Sequence, residues 1–130
     1  METYFQVDYM LISFDVMRRV IIAQWLVSPT SEELRAGSYK VIDAVKEYGT
    51  GKIVWDTTHL GTIHPDDQQW ASTEYALELK SAGGSYSAFI IPQEIFTQLS
   101  VEDTISQGAD LVPFAYFSNI DLALEWLIGR

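Results

Sequence analysis

The side chains best able to do chemistry gather between Lys52 and Trp70, in the stretch KIVWDTTHLGTIHPDDQQW. Beyond Lys52 its titratable groups are Asp56, His59, His64, Asp66 and Asp67, and Thr57, Thr58 and Thr62 add hydroxyls. Imidazole and carboxylate suit a metal ion. The two histidines, however, sit five residues apart in a loop, which matches no helix-face ligand spacing. Solvated loop histidines are the preferred reading and a metal site the lesser alternative. The threonines are phosphoacceptor candidates, but strand-end threonines also favour β structure and local hydrogen bonds, and that account is preferred. The acidic pairs Glu32-Glu33, Asp66-Asp67 and Glu102-Asp103 all fall in first helical turns, where capping and the helix dipole explain them without acid–base catalysis. No cysteine and no Gly-x-Ser-x-Gly elbow is present, so a nucleophilic triad has no support. Gly49-Thr50-Gly51-Lys52 precedes a strand and lacks the hydroxyl residue after Lys, which sets it apart from a phosphate-binding loop.

The elements that must position these residues alternate along the chain. Phe5, Val7 and Tyr9 alternate with polar residues, and so do Ile12, Phe14 and Val16. The change of phase near Tyr9-Met10 implies a bulge or two short strands. A turn at Met17-Arg18-Arg19 leads to Val20–Val27, apolar enough for a strand covered on both faces. Thr30 and Glu33 form a capping box for a helix whose stripe is Leu34, Ser38, Val41, Ile42, Val45 and Tyr48, ended by Gly49 and Gly51. The strand Ile53-Val54-Trp55 ends in the polar loop, and Pro65 opens a helix carried by Trp70, Ala71, Glu74, Leu77 and Lys80 to Gly83-Gly84. A strand at Tyr86–Ile91, a short turn at Ile95-Phe96, a helix capped by Ser100 and Asp103, and a strand at Phe114–Phe117 follow. Ser118 and Asp121 cap a last helix, with Ile120, Ala123, Leu124 and Leu127 on one face. The expected fold is α/β: a mixed sheet with an N-terminal antiparallel hairpin, later strands parallel, and about four helices packed on it. Residues 1–130 read as one domain.

Composition narrows the classes of function. With 48% hydrophobic and 13% aromatic residues, the chain can offset its ordering entropy. A net charge of −10 repels nucleic acid and anionic headgroups, so neither is an expected partner. The longest strongly apolar run, Val20–Val27, is too short to span a bilayer, and no secretory leader is evident; a cytoplasmic protein is expected.

Several phrases in one collinear order resemble the SpoIIAA-like family of small stand-alone bacterial proteins, of STAS/SEC14 type. They are the strand ending in Trp25, the helix opened by Ser31-Glu32-Glu33, the strand with Asp56, and Pro65-Asp66-Asp67-Gln68-Gln69-Trp70. Ala88–Phe96 with Ser100-Val101-Glu102, and Phe117-Ser118 through Ala123-Leu124-Glu125-Trp126-Leu127, complete the series. The resemblance implies a regulatory protein-interaction module or a small-ligand sensor without catalysis. In anti-sigma factor antagonists an Asp-Ser-Ser-Gly motif opens the helix after the Asp-bearing strand, and phosphorylation there switches docking. Here the place reads Ile63-His64-Pro65-Asp66-Asp67, without the serine, so docking would be constitutive or differently triggered.

The expected function is therefore a non-enzymatic module, needing no cofactor, that binds a regulatory protein through Asp56, Thr57, Thr58, His59, His64, Asp66, Asp67 and Gln69. The alternative is a carrier or sensor of a small apolar, lipid-like ligand, with Trp25, Trp55, Trp70 and Phe89 lining its pocket. Tyr48, Tyr75, Phe96, Tyr116, Phe117 and Trp126 are further aromatics that pack the core or add to such a pocket. Self-association through an edge strand or an apolar helix face is open to such a chain.

Overall fold

The computed structural model describes residues 1–96 and 111–130. Three antiparallel strands come first: β1 (Glu2–Val7), β2 (Met10–Asp15) and β3 (Val20–Trp25). The phase change near Tyr9 is thus a true hairpin, with Val7 opposite Met10, and a separate register shift lies between Thr3 and Phe5. Of a bulge or two short strands, the two strands are present, and the antiparallel N-terminal hairpin extends over three strands as a meander. The turn from β2 to β3 needs a left-handed residue, and Arg19 takes it at φ 55°. Its guanidinium caps Tyr48 through the carbonyl oxygen, lies 5.5 Å from the Phe14 ring, and its own carbonyl accepts the Thr50 hydroxyl at 2.8 Å. Those contacts offset the cost of the left-handed backbone.

Helix α1 (Ser31–Tyr48) starts with the capping box: the Glu33 N–H donates to Thr30 Oγ1 at 3.1 Å, and the Thr30 N–H to Glu33 Oε1 at 2.9 Å. Gly49 ends it in the left-handed conformation. Gly51 has a different task. A Cβ there would lie 2.0 Å from the Gly83 carbonyl oxygen, and the Gly51 carbonyl accepts from Ser85 and Tyr86. Only glycine lets these two chain segments pass.

Strands β4 (Lys52–Asp56), β5 (Tyr86–Ile90) and β6 (Phe114–Phe117) continue the sheet in parallel with β3, giving one six-stranded sheet in sequence order. Because the order never reverses, right-handed crossovers put α1 and the helical stretch after β4 on the same face. Strand periodicity sorts the core accordingly. Ile21, Ala23, Trp25, Ile53 and Trp55 pack under those helices; Val20, Ile22, Val54, Ala88 and Ile90 pack under α5 (Ile120–Ile128) on the other face. A short α4 (Gln93–Phe96) follows β5.

Some boundaries differ from the sequence reading. Leu26 and Val27 lie beyond β3 and are exposed. Asn119, with its side chain accepting from the Leu122 N–H at 3.0 Å, caps α5, whereas Ser118 and Asp121 do not. Ile120 is exposed, and Ala123, Leu124 and Leu127 form the buried face. The helix expected from Ser100 to about Gly108, with Glu102-Asp103, lies outside the described residues. Among the described residues no helix is long and apolar enough to cross a membrane.

Candidate ligand-binding site

The polar loop after β4 is held by its own side chains. Asp56 Oδ1 accepts from the Thr58 N–H at 3.1 Å and from the Thr58 hydroxyl at 2.7 Å, and the Thr57 hydroxyl donates to the Ile90 carbonyl at 2.8 Å. These are the local bonds that Asp and Thr make at turns. His64 is the N-cap of α2 (Pro65–Trp70): its Nδ1 accepts from the Asp66 N–H at 3.1 Å, and Pro65 occupies the first turn. Thr58, His59, His64, Asp66 and Gln69 are exposed, while Asp56 and Thr57 are half-buried. Among the described residues, no group of three or more His, Asp or Glu side chains is placed to hold a metal.

Asp67 corrects the picture of an acidic, open helix start. It is 3% exposed, and its Oδ1 accepts from the Ser31 hydroxyl at 2.8 Å and from Arg35 Nε at 3.0 Å. Ser31 and Arg35 stand four residues apart on α1, so one helix face presents both donors. The Ser31 hydrogen bond, foremost, and the Arg35 bond and charge hold the Asp67 carboxyl below the usual carboxylate range, against the opposing effect of burial. Arg35 also lies 4.8 Å from the Trp70 ring. Asp67 therefore ties α2 to α1 and presents little charge to a partner.

Past Trp70 the helix changes its winding. Ala71–Tyr75 is a π-helical turn, followed without a break by α3 (Ala76–Ala82). The buried positions are Asp67, Trp70, Tyr75 and Leu79, and Leu77 is exposed. A regular α-helix would send residues five apart to well-separated faces. The wider turn brings Tyr75 round beside Trp70, with ring centroids 5.0 Å apart. Ser72 and Thr73 hydroxyls bond back to the Gln68 and Gln69 carbonyls at this turn, a pattern associated with helix bending.

Between this helical rod, α1 and the sheet lies a cavity of about 600 Å³. Its sheet wall is Trp25, Trp55, Ser87, Phe89, Phe114 and Tyr116; its helical wall is Leu34, Ser38, Asp67, Gln68, Trp70, Ala71, Ser72, Tyr75, Ala76 and Leu79. Thr57, Leu60 and Ile63 of the polar loop, with Ile91, Leu111 and Val112, complete it. Trp25, Trp55, Trp70 and Phe89, proposed from sequence as pocket residues, thus border one space. The rings support one another: Trp55 stacks on Phe89 at 6.2 Å and meets Tyr75 edge-on at 6.2 Å, and Phe89 contacts Phe114 and Tyr116. Two of their polar tips are already used. The Trp55 indole N–H donates to Ser87 Oγ at 3.1 Å, and the Tyr75 hydroxyl to the Ser38 carbonyl at 2.6 Å. Burial holds the Tyr75 hydroxyl well above its ordinary pKa, so it stays neutral.

Three other aromatics of the sequence reading, Tyr48, Phe117 and Trp126, lie elsewhere, and the side chain of Phe96 is outside the described ones. Tyr48 stacks on Phe14 at 4.0 Å near the β2–β3 turn, where burial, foremost, and Glu2 raise its hydroxyl to about 12. Phe117 and Trp126 pack on the α5 face. Sequence reasoning missed Leu60, Ile63, Leu79 and Val112 as wall residues, and missed Ser31 and Arg35 as the holders of Asp67. The four-residue spacing of Ser31 and Arg35 was the available signal, though nothing local names their acceptor.

No family model, no curated protein and no solved structure matches this chain. The site must be read on its own chemistry.

Proposed function

We propose that the protein binds a small, largely apolar ligand in the aromatic cavity, as a carrier or sensor. The cavity itself carries this reading. Its volume falls within the ordinary range of small-molecule sites, roughly 300–1,000 Å³. Its wall is mostly aromatic and aliphatic, with a few polar groups, the usual composition of such sites. The space is a cleft partly open to solvent between the helices and the sheet, floored by core aromatics, which gives a ligand both a way in and an apolar seat. The lipid-like ligand implied by the SpoIIAA-like, SEC14-type resemblance agrees with this lining.

A docking role for the loop is the second reading, supported by the exposure of Thr58, His59, His64, Asp66 and Gln69 together. The same loop gives Thr57, Leu60 and Ile63 to the cavity wall, so docking and ligand occupancy would share a segment.

The test is titration of the full chain with N-phenyl-1-naphthylamine, an uncharged apolar fluorophore. Saturable enhancement of its emission, with matching quenching of Trp emission at one probe per chain, supports the reading. A flat titration of the folded protein removes it.

A further inference from the structure

We infer that the ligand is uncharged and carries a hydroxyl group, which it donates to Oδ2 of Asp67; this rests on the binding reading above. Asp67 is the only charged side chain in the cavity wall among the described residues, and it is 3% exposed. Both of its hydrogen bonds, from Ser31 and Arg35, end on Oδ1. Among the described residues no donor reaches Oδ2. Among the described residues no buried side-chain nitrogen or oxygen is sealed away without a partner, so Oδ2 is not closed in, and Asp67 borders the cavity.

The chemistry of a carboxylate then selects the ligand. An ionised carboxylate only accepts hydrogen bonds; the hydroxyls of Thr57 and Ser72 on the same wall already donate to backbone carbonyls, and Ser87 Oγ already accepts from Trp55. Among the described residues of the wall, Asp67 is the acceptor that carries charge, and so the one that favours a donor most strongly. A nearly buried carboxylate oxygen without a partner is poorly solvated, so a donor arriving there gains more than one arriving at an exposed site. Arg35 at 3.0 Å already balances the charge of Asp67. An ammonium would leave the pair with an uncompensated positive charge beside Trp70, at a desolvation cost, and a neutral hydroxyl avoids it.

The experiment compares two probes of matched size, octan-1-ol and heptyl methyl ether, as displacers of N-phenyl-1-naphthylamine. Both carry one oxygen, but only the alcohol donates. The alcohol should displace the fluorophore at a concentration lower by about tenfold or more, the usual difference for a hydrogen bond to a charged group. In Asp67→Asn the amide oxygen keeps Ser31 and Arg35, the amide NH₂ replaces Oδ2, and the advantage of the alcohol should vanish while fluorophore binding persists. Equal displacement by both probes in the unmodified protein overturns the inference and leaves the cavity reading standing. No fluorophore binding at all overturns both. If Asp67→Asn does not fold, the comparison in the unmodified protein still decides. Ser31→Ala, which leaves Oδ2 in place, should keep the alcohol preference.

Discussion

Trp70 and Tyr75 are five residues apart in one continuous helical stretch, yet their rings lie 5.0 Å apart on the same face. The π-helical turn between them makes this possible, and the residues of that turn, Ala71, Ser72 and Tyr75, line the cavity. A single-turn π-helix inside an α-helix is rare and is found mostly at functional sites. Here its effect is geometric: it places two large rings over one space and holds the chain open beside them.

Removing one residue from that turn should regularise the helix. Deletion of the exposed Thr73 leaves Trp70 and Tyr75 four apart, which an α-helix also puts on one face. The expected protein melts cooperatively within a few degrees of the parent, because its buried face is kept. Its fluorophore binding should weaken, because Ala71 and Ser72 no longer form the same wall. Loss of the cooperative melt in circular dichroism would instead assign the turn to stability.

Filling the cavity should separate binding from folding. Ala76 borders the space, and Ala76→Phe puts a ring into volume that is already open, so overpacking strain is small. Fluorophore binding should disappear while the melting temperature holds or rises. Retained binding with unchanged affinity would place the fluorophore elsewhere on the protein.

The opposite face offers the complementary control. Leu127 is fully buried against β4 and β5, away from the cavity. Leu127→Ala should cost about 2–5 kcal/mol, read from a denaturant titration. The folded fraction should bind the fluorophore with the parent affinity. A matching loss of affinity would show that the two faces of the sheet are coupled.

Acid should loosen the α1–α2 tie. The Asp67 carboxyl lies below the ordinary aspartate value of about 3.9, so its ionised form stabilises the fold above that pH. That contribution fades as pH falls through the lower native value. The gap in melting temperature between the parent and Asp67→Asn should therefore be widest near neutrality and narrow as the pH drops below about 4. A gap unchanged across that range would assign the difference to packing alone.

The sequence by itself determined the elements whose causes are local. Thr30 and Glu33 cap α1, Gly49 ends it, and Pro65 opens α2, because these residues satisfy or spare backbone groups within their own turns. Ile53-Val54-Trp55 was legible as one apolar strand, while its division into Ile53 and Trp55 on one face and Val54 on the other came with the fold. The four aromatic pocket candidates were legible as residue types, but nothing in their spacing distinguished one cavity from scattered core packing. Only the tertiary structure decided that Asp67 is held by Ser31 and Arg35, that Leu77 faces outward, and that Trp25, Trp55, Trp70 and Phe89 border one space. Each of these depends on partners more than thirty residues away or on a turn that departs from the helical period. Local rules assign a period and a cap; which distant side chain a carboxylate meets, and whether two rings leave room between them, is settled by how α1, the bent rod and the sheet pack together.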